Sequence, residues 1–173
     1  VVQGEGGVNV ADGEYLRKVR QLCDERQMLL MFDEVQTGFA RTGEWFAWQH
    51  HFDSTSDVRP DVVTMAKALG NGVPIGAIWA KKEIAQAFQP GDHATTYGGQ
   101  PLATSAARAV LRVMESINAP ALAAAAGEEL MGKLLDVPNV IDTRGLGLLI
   151  AAEIDNDAVG KTGPEIALAC LEE

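Results

Sequence analysis

The sequence predicts an α/β fold: a mostly parallel sheet with flanking helices, followed by the start of a smaller α+β unit. Three observations carry this reading. Short apolar runs alternate with amphipathic helical stretches along most of the chain, the rhythm of layered α/β domains. The run Met28-Leu29-Leu30-Met31-Phe32 is apolar throughout, as in a strand covered on both faces. Near residue 140 the rhythm gives way to two short β-like runs around a glycine-rich turn. A boundary is therefore expected there, with one unit over residues 1–137 and a second over 138–173.

The elements follow in order. Across 12–27, Leu16, Val19 and Cys23 recur at helical spacing behind Asp12, a natural N-cap. The apolar strand at 28–32 stops at Asp33-Glu34, and a loop rich in Gly and Thr occupies 36–43. Trp45, Phe46, Trp48 and Phe52 form an aromatic stretch, read as packing residues. The polar segment 53–60 reads as a surface loop. A second strand at 61–65 runs into Ala66-Lys67, and a third spans 75–80 after a turn. A short helix at 82–88 and a Gly/Thr loop at 91–99 precede Pro101, which suits the first turn of a helix reaching about Ile117. The alanine-rich stretch 121–135 is helical by propensity. Arg144-Gly145-Leu146-Gly147 reads as the turn of a hairpin-like segment, and 164–173 as a helix. The first residues enter mid-element and the last stop inside a helical stretch, so a piece of a longer protein is expected.

Composition narrows the function. Of 173 residues, 47% are hydrophobic and 22% charged, a globular and not a disordered balance. Fourteen Lys+Arg against 24 Asp+Glu give a net charge of −10, which argues against nucleic acid and anionic membranes as partners. No apolar run reaches the ~18 residues of a membrane span. Cys23 and Cys170 are too few for a disulfide framework, and a reducing cytoplasm is the simpler setting. These cysteines and His50, His51 and His93 lack zinc-ligand spacing, so no metal is expected.

Parallel sheets place their chemistry beyond the carboxyl ends of strands, which singles out Asp33 and Lys67. Asp33 reads either as a turn cap or as a buried, paired carboxylate. Lys67 reads either as a snorkelling lysine or as a desolvated amine fit for Schiff-base chemistry. The loop around Thr95, Thr96, Gly98 and Gly99 is either a plain turn or a phosphate cradle.

Taken together, the motifs are more specific. Gln3-Gly4-Glu5-Gly6-Gly7, Asp33-Glu34-Val35-Gln36-Thr37-Gly38, Arg41-Thr42-Gly43, Pro60-Asp61, Ala66-Lys67-Ala68-Leu69-Gly70 and Thr95-Thr96-Tyr97-Gly98-Gly99-Gln100-Pro101-Leu102 occur in this order. The series resembles the class III (ornithine/acetylornithine-type) pyridoxal-phosphate aminotransferases, of fold type I, from Val1 to about Glu153. Residues 38–43 and 93–102 look most like the acetylornithine branch, which serves arginine biosynthesis.

The resemblance implies roles. Lys67 is the catalytic lysine that forms the Schiff base with the pyridoxal 5'-phosphate aldehyde. Asp33 pairs with the pyridine nitrogen and keeps it protonated. Val35 packs on one ring face and Gln36 hydrogen-bonds the ring 3-oxygen. Thr96, with Thr95 beside it, reaches the phosphate of a neighbouring subunit's cofactor, implying a homodimer with sites at the interface. Glu5 corresponds to a glutamate that pairs with a substrate-binding arginine. The implied reaction is ping-pong, from an acetylornithine- or ornithine-like amino donor to 2-oxoglutarate, giving glutamate. An aminotransferase for 4-aminobutyrate or another ω-amine, an amino-acid racemase, and a non-catalytic piece are the alternatives. Departures from the pattern are Ala94 for a usual glycine, Gln100 for a usual asparagine, and a longer stretch at 50–58. Arg144, set in turn chemistry, is read as structural and not as the substrate arginine.

Overall fold

The computed structural model describes residues 1–53 and 56–172. Part of the expected longer stretch at 50–58, and Glu173 of the last expected helix, lie outside the described residues. A short antiparallel pair, β1 (Val2–Gln3) and β2 (Asn9–Val10), precedes helix α1 (Gly13–Glu25). Asp12 caps α1 as expected, accepting from the backbone N–H groups of Glu14 and Tyr15. Then come β3 (Met31–Asp33), the small pair β4 (Phe52–Asp53) and β5 (Ser56–Asp57), β6 (Val62–Met65), β7 (Ala77–Ala80) and the short α2 (Lys82–Ala85). Two long helices follow, α3 (Pro101–Ser116) with Pro101 in its first turn, and α4 (Ala119–Leu135). The chain continues through a hairpin of β8 (Val140–Leu146) and β9 (Leu149–Ile154) to α5 (Asn156–Val159) and α6 (Gly163–Cys170).

The central sheet has the order β3-β6-β7. The expected parallel pairing is found between β3 and β6, with Asp33 opposite Thr64. β7 runs antiparallel to β6, because the connection through Gly70 and Gly72 is too short to hold a crossover helix. Burial on both faces was expected for 28–32 and is not observed. Leu30 and Phe32 are buried, whereas Met28, Leu29 and Met31 are exposed, Met31 by 57%. The reason is the layering: Leu30 and Phe32 pack with Leu16 and Cys23 of α1 and with Val58, and among the described residues no second layer covers the Met31 side.

A carboxylate fixes the amino end of the sheet. Asp61 is buried, pairs with Arg20 of α1 at 2.8 Å and Lys81 at 2.7 Å, and accepts from the Leu30 backbone N–H at 2.7 Å. Burial alone would raise its pKa, but Lys81, the Leu30 amide and Arg20 outweigh burial and hold it at about 2.

A second carboxylate fixes the opposite end. Glu34, only 1% exposed, follows β3 directly. It accepts from the Thr37 hydroxyl and from the backbone N–H groups of Ala47 and Trp48, each of the latter at 3.0 Å. These bonds close the loop 35–46 onto the carboxyl end of β3. The loop's apolar side chains fill a core with α3: Phe39, Leu69 and Ala107 are buried together with Phe46 and Met65 against them, and the Phe39 and Phe46 rings lie 5.5 Å apart.

The hairpin joins the same loop. Its turn is Gly147-Leu148, since Leu146 pairs with Leu149. The expected turn at 144–147 is therefore displaced, and Arg144 lies within β8. Its guanidinium bonds the Gly7 carbonyl, Asp142 and Glu153, which is the structural role expected of it. Gly147 has φ +52 and sits against the Thr42 backbone, while a Cβ on Gly127 of α4 would strike the Gly147 carbonyl. Loop, helix and hairpin thus meet backbone to backbone.

Two stability outcomes follow. The Asp61 carboxyl titrates lower in the folded chain than in the unfolded one, so its contribution is full above pH 4 and is lost as pH falls through 2. The shift from 3.8 to about 2 corresponds to about 2 kcal/mol. Asp61→Asn is expected to lower stability by at least that much at pH 7 and to flatten its pH dependence between 4 and 2, read by urea unfolding. Glu34→Ala leaves two backbone donors and a hydroxyl buried without an acceptor and is expected to cost about 3 kcal/mol. Glu34→Gln, which keeps one oxygen, is expected to cost less in the same measurement.

Candidate active site

The carboxyl ends of β3 and β6 lie side by side, so the residues just beyond them are neighbours. Asp33 is the last residue of β3, and its Oδ1 accepts from the Val35 N–H at 2.9 Å. The turn-capping geometry is present, and the side chain is exposed, not buried. The Glu34 N–H donates to the Thr64 carbonyl at 3.0 Å, which carries the parallel ladder one residue past Asp33 and fixes where the loop departs.

Lys67 stands two residues beyond β6 and opens a single 3-10 turn, Lys67–Leu69. Its backbone adopts φ +45, a left-handed conformation uncommon outside glycine. The carbonyl of Lys67 accepts from both Gly70 and Asn71, and Asn71 is itself left-handed at φ +45. Strain of this kind persists only where surrounding structure holds it, and it gathers at functional sites. Leu69, buried beneath the turn against Phe39 and Ala107, provides that hold. Of the two readings of Lys67, the desolvated amine is not found: the side chain is exposed, because the turn carries it off the strand end toward an open cavity.

That cavity, of about 530 Å³, is lined by Gln36, Arg41, Lys67, Asn71, Leu148 and Leu149, among others. Two expected site residues, Lys67 and Gln36, therefore share one space, although 31 positions separate them in the chain. Glu5 is exposed on the turn between β1 and β2, where the Gly7 and Val8 N–H groups donate to the Gly4 carbonyl. A Cβ on Gly4 would collide with the Gln36 amide, so the Glu5 turn rests directly on a cavity residue. Asp33 and Val35 both precede Gln36 in the chain and do not line the cavity themselves. Thr95 and Thr96 lie on an exposed loop and do not line it either. Within that loop the Thr95 methyl lies over Gly98, where an added Cβ would require it to move.

Sequence reasoning passed over several residues that the structure makes important. Glu34 stood beside Asp33 in the same motif, but nothing in the sequence says which of two adjacent carboxylates turns inward. Arg41 and Asn71 sat in quoted or neighbouring motifs without an assigned place, and Leu148 and Leu149 reach the cavity only through the hairpin turn.

Comparison with known proteins shows the family and the fold. The family model described as aminotransferase class-III matches residues 1–173. The acetylornithine aminotransferase of Methanocaldococcus jannaschii is 49% identical over 158 residues, covering 89% of this chain and 38% of the relative. The crystal structure of the Toxoplasma gondii ornithine aminotransferase superposes with a TM-score of 0.81 at 37% identity, over 91% of this chain and 38% of that one. A second structure of that enzyme records partial occupancy of PLP at its active site. An S-selective transaminase from Arthrobacter, solved with alanine bound, gives a TM-score of 0.80 at 34% identity, over 92% of this chain and 34% of that one. The chain thus spans about 38% of the length of the first of these relatives. The fold is that of the PLP fold type I aminotransferases, and the chain belongs to the class-III aminotransferase family.

Proposed function

We propose that this chain supplies the lysine-bearing part of a pyridoxal-phosphate transamination site. The reaction moves an amino group from an acetylornithine- or ornithine-like donor to 2-oxoglutarate, in a ping-pong sequence that yields glutamate. The observation that carries the reading is a convergence: Lys67 and Gln36 line one cavity, and Asp33 ends the strand paired with the strand that delivers Lys67. The cavity volume falls within the range of small-molecule sites. Asp33 has Oδ1 engaged by the Val35 N–H, which leaves Oδ2 to receive a ring N–H. These residues fit the cofactor.

When bound, pyridoxal phosphate supplies an electron sink for the charge left when a proton departs from the substrate carbon that bears the transferred amino group. The chain's own groups divide the remaining work. Lys67 Nζ is the amine that would hold the cofactor and the base that would take the proton from the carbon bearing the transferred amino group. Asp33 Oδ2 would keep a proton on the ring nitrogen. Gln36 would donate to the ring 3-oxygen, held in place by the loop that Glu34 closes, and Val35 would cover one ring face. Glu5, on the turn against Gln36, would hold a substrate-binding arginine. Thr95 and Thr96, exposed and off the cavity lining, would serve the phosphate in a second copy, and a homodimer is part of the proposal. Residues 1–137 would form part of the cofactor domain and 138–173 part of a smaller one. An aminotransferase for 4-aminobutyrate or another ω-amine is the second reading, and the likeness to the S-selective transaminase from Arthrobacter supports a transaminase of different selectivity on the same fold.

Borohydride reduction of the full chain with pyridoxal phosphate, followed by peptide mapping, tests the site. The adduct is expected on Lys67 in preference to the other five lysines, and Lys67→Ala is expected to remove it. Label spread evenly over the lysines overturns the reading. Glutamate formed from 2-oxoglutarate with N-acetylornithine, but not with a simple primary amine, separates the first reading from the second.

A further inference from the structure

We propose that Thr64 is a positioning residue for Asp33, its hydroxyl donating to Asp33 Oδ2 when the site is loaded and holding that oxygen on the ring nitrogen, an inference that rests on the transamination reading. Thr64 lies in the middle strand of the central sheet, with Asp33 of β3 opposite it on one side and Ile78 of β7 on the other. Register partners share a face of the sheet, on strands about 4.8 Å apart. Val62 and Ala66 stand two positions before and after Thr64. Of these four side chains only that of Asp33 carries an acceptor.

The Thr64 hydroxyl oxygen is hidden from solvent and has no hydrogen-bond partner among the described residues. A hydroxyl removed from water without a partner destabilises the fold that holds it, and a valine would fill the same space without that loss. The position leaves the group little freedom. A β-branched side chain is stiff about its first bond, and the Thr64 carbonyl accepts from the Glu34 N–H at 3.0 Å, which fixes the strand beside Asp33. A polar atom kept in this condition next to a functional carboxylate is accounted for when its partner is completed by the ligand.

Asp33 has the complementary property. Its Oδ1 accepts from the Val35 N–H at 2.9 Å, and its side chain is exposed. Standing in water, the carboxylate is hydrated by solvent and has no need of the hydroxyl. A ring seated on it displaces that water, and the oxygen facing the ring then depends on fixed donors. A carboxylate oxygen accepts more than one hydrogen bond, so Oδ2 takes the ring N–H and the Thr64 O–H together, and the second bond orients the first.

The test uses the full chain with pyridoxal phosphate and with its analogue in which a C–H group replaces the ring nitrogen, binding being read by quenching of tryptophan fluorescence. Thr64→Val is expected to raise the thermal midpoint of the free chain by about 2 °C. The same variant is expected to weaken pyridoxal phosphate about tenfold, an opposition of signs that a merely structural threonine does not give. The analogue is expected to bind both chains alike, and Thr64→Ser to keep most of the affinity. In an Asp33→Ala background, Thr64→Val is expected to change the affinity no further. A Thr64→Val chain that melts lower or does not fold overturns the proposal, as does an unchanged affinity for pyridoxal phosphate, an equal loss for the analogue, or an undiminished effect without Asp33. Specific labelling of Lys67 with no dependence on Thr64 removes this proposal alone. Label spread over the lysines, with binding that still depends on Thr64, Asp33 and the ring nitrogen, removes the transamination reading and leaves the pairing standing.

Discussion

The buried carboxylate of Glu34 is the interaction on which the rest of this structure depends. An ionisable group removed from water must recover its hydration from fixed donors, and Glu34 does so from Thr37, Ala47 and Trp48. Those donors sit in different places. Ala47 is the fully buried centre of the cluster formed with Val2 and Val8, against which the hairpin packs. Trp48 packs on the cluster beneath α1. The loop closed between them carries Phe39 and Phe46 into the third cluster, against α3. One carboxylate thereby ties three small apolar cores into a common arrangement, which none of them is large enough to enforce alone.

The two buried carboxylates divide the sheet between them. Asp61 works at the end where β3 and β6 begin, using full charges from α1 and from the end of β7. Glu34 works at the end where the strands finish, using neutral donors only. The first is an electrostatic clamp whose strength follows pH. The second is a template that sets the path of a loop. Ladder and helix packing thus stabilise one end of the sheet, and the other is free to carry exposed, strained and reactive positions such as Lys67.

Much of this was legible in the sequence, and the reasons for the remainder are physical. The capped start of α1 at Asp12, the proline entry of α3 and the strand before Lys67 are local signals, read from a few adjacent residues. The apolar run before Asp33 gave the strand but not its covering, because a run of five apolar residues is the same whether one layer or two lie against it. The turn of the hairpin was placed early, since Gly145 and Gly147 are equally permissive and only the pairing of Leu146 with Leu149 decides between them. At the site, motif order singled out Lys67, Asp33 and Gln36, and the fold brings Lys67 and Gln36 to one cavity beside the strand that Asp33 ends. The exposure of Lys67 and the inward turn of Glu34 depend on how a loop closes, which is a tertiary outcome.

The meeting of Gly147 with Thr42, and of Gly127 with Gly147, has a consequence for how such a site can change. Where main chain abuts main chain, the spacing between segments is set by atoms that every residue possesses. Replacing side chains on the cavity surface at Asn71, Leu148 or Leu149 then alters the size and polarity of the space while its frame stays in register. A lineage, or an experimenter, can vary what the cavity admits at those positions one at a time, and each step is read against an unmoved Lys67.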